Sequence, residues 1–407
     1  MLRSPLADLA GRRSVRLLTT VVAAVTLALA GGVATAGACN SIPGLRKPPP
    51  PAPAPDPGPA AAPDSASAPG SARAAAPDAA PAAEGPASRP VDVMFHGFWT
   101  SYTDAQRADV LDRLQAAGVT SVRIDLSWIM LQPDGPDSFH RWGVDFVDRV
   151  IAMANERSIK PLMMLWLTPG WANGNSGERV APYRAEDYAR VAGWAAQRWR
   201  GKVVGWEVWN EPNSDAFLRG ADPAAYVRLL RAAYPAIKAG DPDAAVVLGG
   251  VEYNDVAWLR RAYDAGAQGY FDVLATHPYQ GIADLAPDAR DGTKYTLRSV
   301  SAVRDLMVER GDAAKPIWFT EFGWSTHSVR SGVNWIRGVD EQRQAAYLVA
   351  TARLVAAEMP YVQRIYWYSD RDTHEGDPQY SNYGLFRLDL SPKPALTAVA
   401  QANAEAR

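Results

Sequence analysis

The sequence predicts an α/β chain whose folded part, residues 91–407, closes as a single (β/α)8, or TIM, barrel. Three observations carry this expectation. Short β-branched and aromatic runs alternate eight times with longer amphipathic stretches across 317 residues. A repeat of about 40 residues per unit favours a parallel strand ring wrapped by helices. The first strand-to-helix turn, His96-Gly-Phe-Trp99, lacks the glycine-rich phosphate turn that an open dinucleotide-binding sheet wants. Two glutamates 110 residues apart, Glu211 and Glu321, each end a strand and open a loop, where barrels of this type keep their chemistry.

The first 90 residues read differently. Arg12, Arg13 and Arg16 precede an apolar stretch from about Leu17 to Ala30, and Ala36-Gly-Ala-Cys39 follows. A charged start, an apolar middle and small residues make residues 1–38 a signal peptide, with an apolar run too short to span a bilayer convincingly. Cys39 is the sole cysteine and stands where a bacterial lipobox places its lipidated residue, although Ala36 replaces the usual leucine. The expected localisation is therefore export, with a lipid anchor at Cys39 on the cell envelope. Secretion after Ala36-Gly-Ala38 and a twin-arginine route through Arg12-Arg13 are the alternatives. Residues 39–90 are mostly Pro, Ala, Gly, Ser and Asp, a disordered Pro/Ala-rich tether that cannot bury enough apolar mass to order itself.

In the barrel the expected strands are Val91–Gly97, Thr120–Leu126, Lys160–Trp166, Val203–Asn210, Ala244–Gly250, Phe271–Thr276, Pro316–Glu321 and Val362–Trp367. Helical periodicity marks Asp104–Ala117, Val144–Arg157, Tyr188–Arg200, Ala224–Lys238, Leu297–Arg310, Glu341–Glu358 and a last helix around Ala395–Ala404. Asp241-Pro242 and the segment from Gly311 to Lys315 supply stops. Residues 91–407 carry 34 basic against 39 acidic side chains, which argues against a nucleic-acid partner and suits a neutral ligand.

The strand ends gather His96 and Trp99, Arg123 and Trp128, Trp166 and Trp171, Asn210 and Glu211, His277 and Tyr279, Glu321 and Trp324, and Trp367 with Tyr368. Six of the fourteen tryptophans fall in this set, so a role beyond packing is expected: aromatic faces stack on sugars while the indole N–H stays free to donate. Trp128 and Trp166 read as core. Two carboxylates in an aromatic cleft suit glycosidic-bond hydrolysis, where one acid protonates the leaving oxygen and the other attacks or shields the oxocarbenium ion. Glu207 reads as a buried structural carboxylate paired with Arg123, and Glu252 as either a sugar contact or an ordinary loop acid. The segment Asp370–Asp377 reads as a solvated rim rather than a metal loop. The five histidines form no chelating pair, so neither a metal nor another cofactor is expected.

Trp209-Asn-Glu-Pro-Asn213, Arg123, His277-Pro-Tyr279, Thr320-Glu-Phe-Gly-Trp324 and Trp367 together resemble the retaining glycoside hydrolases of clan A. The similarity is to family 39, the single-domain exopolysaccharide hydrolases and family 5-like cellulase sequences, and it covers essentially all of 91–407. The resemblance implies a retaining hydrolase acting on an envelope or extracellular polysaccharide or oligosaccharide, usually β-linked. Glu211 would be the acid/base and Glu321 the nucleophile. Asn210 would bond the sugar 2-hydroxyl, Arg123 and Tyr279 would bond Glu321, His277 would support the site and Trp367 would floor it. His96, Trp99, Trp171 and Trp324 are the remaining expected substrate contacts or supports. Beside a cation and a phenol, Glu321 is expected to favour its charged form. Packed among Trp206, Trp209 and Pro212, Glu211 is expected to hold its proton. The chain ends soon after the barrel, without the β-sandwich of family 39 xylosidases, which favours the single-domain hydrolases. The alternative is a catalytically silent carbohydrate-binding barrel or scaffold.

Overall fold

In the computed structural model, residues 87–98, 101–329, 332–374 and 376–407 are described. The expected signal peptide, tether and Cys39 lie outside them, as does Trp99. Strands β1 (Val91–Met94), β2 (Ser121–Ser127), β3 (Lys160–Trp166), β4 (Gly205–Val208), β5 (Ala245–Glu252), β6 (Val273–His277), β7 (Ile317–Phe322) and β8 (Val362–Trp367) form one closed parallel barrel in chain order. Closure is made by β8 on β1, with Val91 opposite Ile365. The helices are α1 (Asp104–Ala116), α2 (Trp128–Leu131), α3 (Arg141–Asn155), α4 (Gly170–Asn173), α5 (Ala185–Arg198), α6 (Pro223–Gly240), α7 (Val256–Asp264), α8 (Val300–Glu309), α9 (Glu341–Glu358), α10 (Pro378–Ser381) and α11 (Pro394–Glu405).

Local chemistry sets several of these boundaries. Thr103 and Gln106 form a capping box that starts α1. Asp222 caps α6 with Pro223 in its first turn, where a missing N–H costs nothing. Asp340 caps α9. The short helices α2, α4 and α10 and the nine-residue α7 escape sequence periodicity because they offer too few turns to show an apolar stripe.

Side-chain alternation divides each strand between two cores. Leu162, Val247, Val273, Ala275, Trp318 and Tyr366 fill the barrel interior, above the Asp92–Arg364 pair at 3.0 Å. The opposite strand faces pack under the helices in a larger cluster that includes Trp128 and Trp166, as expected for those two rings. Asn403 of α11 clamps β1: its Nδ2 donates to the carbonyls of Val91 and Ala117, and its Oδ1 accepts from the Val91 N–H at 2.7 Å.

Two ladder irregularities shape the open end of the barrel. Register shifts between Leu248 and Val251 on β5, and between Phe319 and Phe322 on β7, break strict alternation there. Both Thr320 and Glu321 consequently reach the same polar layer.

Candidate active site

Above the apolar interior, one buried guanidinium organises a layer of polar groups. Arg123 on β2 donates from Nε to Glu207 at 2.6 Å, from Nη1 to Glu321 at 2.6 Å and from Nη2 to the Asn210 side-chain carbonyl at 2.8 Å. Three partners from β4, the loop after it and β7 thus share one rigid fork. Glu207 is the paired structural acid the sequence suggested. Its other oxygen accepts from the Gly250 N–H and the Thr320 hydroxyl. Asn210, with its carbonyl occupied by Arg123, has its amide nitrogen left to donate.

Glu321 accepts a second bond from the Tyr279 hydroxyl at 3.0 Å. Among the described residues Glu211 forms no ion pair with a Lys or Arg. It pairs with His277 Nδ1 at 2.7 Å, and His277 Nε2 lies 3.0 Å from the Thr320 hydroxyl. Burial and the nearby Arg123 charge hold His277 well below its usual pKa, so it is neutral. Thr320 spends its proton on Glu207, an acceptor, and its oxygen therefore accepts from Nε2–H. That tautomer leaves Nδ1 as a bare acceptor, so Glu211 must supply the proton between them. The hydrogen-bond network itself calls for a protonated Glu211.

The electrostatics agree in direction. Burial, followed by the charges of Glu252 and Glu321, raises the Glu211 carboxyl well above its ordinary value. Glu321 is also raised by burial, to about 7, with Arg123 and the Tyr279 hydroxyl pulling the other way. The expectation that Glu321 would simply favour its charged form therefore needs correction: desolvation outweighs the cation. Glu211 has no Lys or Arg partner among the described residues to oppose burial, whereas Glu321 has Arg123, and that asymmetry favours leaving the proton on Glu211. The expected cause at Glu211 is also corrected. Trp206 stacks on Trp199 and Trp209 lies near Tyr188, both in the helix layer, so neither ring dries Glu211.

The two acids line one pocket. An oxygen of Glu211, one of Glu321 and a ring nitrogen of His277 all lie within 4.8 Å of one another. That spacing would admit a divalent ion, but the guanidinium 2.6 Å from Glu321 opposes a second cation there. The remaining walls are Ser214, Ala216, Phe217, Glu252, Tyr253, Tyr279, Trp335, Tyr368, Tyr380 and Tyr383.

Several expected site tryptophans stand elsewhere. Trp367 is fully buried, edge-on to Phe322 and stacked on Trp324, with its indole N–H on the Tyr383 carbonyl. It does not floor the pocket. Tyr366 points into the barrel toward Ser121, so alternation turns Trp367 outward and brings Tyr368 to the wall. Trp324 is buried with its N–H on the Leu285 carbonyl. Trp171 packs edge-on to Trp128, with its N–H on the Gln132 carbonyl. Neither lines the pocket. His96 sits behind Tyr368, edge to its ring, and pairs with Asp370 at 2.7 Å. The segment Asp370–Asp377 is only in part the solvated rim expected: His374 and Gly376 are exposed, but Asp370 is buried between His96 and Tyr102, and Asp372 pairs with Lys393.

The sequence reading missed Tyr253 and Trp335, which reach the pocket from loops, Tyr380, which reaches it from the short helix α10, and Gly250. A Cβ at Gly250 would lie 2.2 Å from His277 Nε2 and 2.6 Å from the Thr320 hydroxyl. Gly250→Ala should displace the imidazole and lower kcat about 100-fold, the scale of an ångström-level misplacement. Turnover and circular dichroism measured side by side check this; an unchanged kcat would show that His277 does not hold Glu211 in place.

A family model described as cellulase, glycosyl hydrolase family 5, matches residues 86–369. The chain belongs to glycosyl hydrolase family 5. Among curated relatives, β-glucosidase A of Thermotoga maritima is 28% identical over 111 residues, 25% of this chain and 23% of that protein. β-Glucosidase 31 of Arabidopsis thaliana is 28% identical over 103 residues, 24% of this chain and 19% of that protein. The family 5 chain thus matches less than a quarter of either relative's length. A solved family 39 glycoside hydrolase from Bacteroides cellulosilyticus WH2 superposes with a TM-score of 0.64 at 25% identity, over 78% of this chain and 64% of that one. A GH5_18 structure from Streptomyces cattleya superposes with a TM-score of 0.61 at 20% identity, over 79% and 81%, and so shares the fold.

Proposed function

We propose that this family 5 chain hydrolyses glycosidic bonds with retention of configuration, acting on a β-linked polysaccharide or oligosaccharide. One observation carries the reading: two carboxylates, one bonded to a guanidinium and the other to a neutral imidazole, meet in one pocket with oxygens within 4.8 Å of each other. Inverting pairs stand roughly 6.5–9.5 Å apart to leave room for water, whereas retaining pairs stand roughly 5–5.5 Å apart. Glu321, aimed by Arg123 and Tyr279, attacks the anomeric carbon while Glu211 protonates the departing oxygen. The resulting glycosyl ester is opened by a water that Glu211, now a base, deprotonates, and the proton returns to Glu211. Asn210, oriented by Arg123, donates to the sugar beside the bond that breaks.

Product configuration followed by proton NMR during hydrolysis of an aryl β-glycoside tests the mechanism. The first-formed sugar should be the β-anomer; an α-anomer would falsify double displacement. The pH dependence follows from the site. The reaction needs Glu321 ionised, so kcat/KM should rise as pH increases through about 7. It needs Glu211 protonated, so the rate should fall again at higher pH, where that carboxyl finally ionises. An acid limb near the usual glutamate value of about 4.3 would contradict the burial argument.

The reading of residues 1–39 extends this proposal to location: export, with a lipid anchor at Cys39 and a tether that carries the barrel clear of the envelope. Metabolic labelling with a palmitate analogue, lost in Cys39→Ala, would establish the anchor; labelling of neither form would leave simple secretion.

A further inference from the structure

The reaction pocket holds more acid than the proposed mechanism uses. Glu252 ends β5, and Asn213 clasps its backbone: Asn213 Oδ1 accepts from the Glu252 N–H at 2.7 Å and Nδ2 donates to its carbonyl at 3.1 Å. This locks the loop that follows Glu211 to the end of β5, with the Glu252 carboxyl lining the pocket beside Glu211. Its hydrogen-bond partner is Ser214. Among the described residues no Lys, Arg or His nitrogen lies within 4.0 Å of it, and the nearby Lys294 is engaged by Asp255 at 2.8 Å. Asp125 lies two residues beyond Arg123 on β2, so strand alternation puts both side chains on the inner face of the barrel, Asp125 nearer the open end. Among the described residues Asp125 makes neither a hydrogen bond nor an ion pair.

Neither carboxyl belongs to the Glu211–His277–Thr320 chain or the Arg123–Glu321–Tyr279 cluster. The one guanidinium of the layer, Arg123, is already divided between Glu207 and Glu321, and His277 is neutral. Glu211 holds its proton, but Glu252 and Glu321 in the pocket and Asp125 on the inner face of β2 still leave this binding space with a deficit of positive charge. The same space is walled by aromatic rings. Trp335 stands 6.1 Å from Tyr253, 5.9 Å from Tyr279 and 6.3 Å from Tyr380, centre to centre. Ring faces attract cations, carboxylates out of water hold them more strongly than they would in bulk, and a sugar carboxylate would meet repulsion.

We propose that Glu252 and Asp125 are specificity-determining residues that select a glycan unit bearing a free protonated amino group, as in a de-N-acetylated hexosamine polymer. Acetylated, neutral and uronic-acid units are the disfavoured classes. The inference rests on the reading of this pocket as a glycosidase site, but selection can be measured without turnover.

The test uses the full chain. Glu321→Gln is titrated calorimetrically with fully de-N-acetylated chito-oligosaccharides, with the same oligomers N-acetylated, with cello-oligosaccharides and with oligoglucuronides. The amino oligomer should bind at least tenfold tighter than its acetylated counterpart, and the oligoglucuronide weakest. Adding Glu252→Gln or Asp125→Asn, each isosteric, should cut that preference at least fivefold. A graded acetylation series on the protein without these two changes gives the same answer should either variant unfold, with affinity falling as acetylation rises. Equal affinity for amino and acetylated oligomers overturns the proposal, as does a preference that survives both substitutions. Failure of the chain with Glu321 intact to hydrolyse any oligomer, alongside selective binding, would instead overturn the catalytic reading and leave the selection standing.

Discussion

Glu321→Ala should lower kcat by about 10⁴-fold or more, because it removes the group that forms the covalent intermediate. The pocket left behind decides what happens next. Azide can occupy the space vacated by the carboxylate and attack from the same face, with Glu211 still able to protonate the leaving group. The expected product is a glycosyl azide of inverted configuration, formed fast enough to restore part of the lost rate. Glu211→Ala should behave differently. Its loss should be about 10²–10⁴-fold on a poor leaving group and much smaller on an activated aryl glycoside that needs no proton, and its azide product should retain configuration. Kinetics and product NMR on the two variants therefore separate nucleophile from acid. If the two azide products came out exchanged, the roles assigned from Arg123, Tyr279 and His277 would have to be reversed.

Arg123→Met is the second large effect, and it strikes stability as well as rate. Arg123 and Glu207 are fully buried and Glu321 nearly so, and the guanidinium bonds both carboxylates within 2.6 Å. Removing one partner of a buried charge cluster leaves its counter-charges uncompensated, at a cost of about 3–5 kcal/mol. Denaturant unfolding should show that loss. In whatever protein remains folded, Glu321 loses the cation that favours its charged form, so the acid limb of the pH profile should move upward. Lysine should not rescue the site, since a point charge cannot bond Glu207, Asn210 and Glu321 from one plane. A Lys variant with full activity would mean that charge alone, not the fork, is what Arg123 contributes.

The parts of the molecule that were legible in sequence share a cause. Glu211, Glu321, Arg123 and Tyr279 sit on or just beyond strands, and strand order in a closed barrel fixes which mouth they share. Tryptophans misled because composition does not say where an indole N–H goes. Those of Trp171, Trp324 and Trp367 all end on backbone carbonyls, which anchors these rings behind the site. Trp367 and Tyr368 differ by one position, and in a strand one position exchanges inside for outside. Trp335 and Tyr380 come from long connections that carry no periodic signal. The raised proton affinity of Glu321 was invisible because burial, its main cause, is a property of the assembled pocket. Gly250 gave no sign either, since its need for a missing side chain arises from His277 and Thr320 on the two strands beyond its own.

The turn after β4 stores a liability. Trp209 and Glu211 both take left-handed backbone angles, φ of +71° and +39°, in a region where a side chain costs on the order of 1–3 kcal/mol. Glycine at position 211 would relieve that cost and erase the acid in one stroke. Directed evolution for heat resistance alone would thus be drawn toward a sturdier but inert protein, and only a screen that scores turnover in the same round would keep the glutamate.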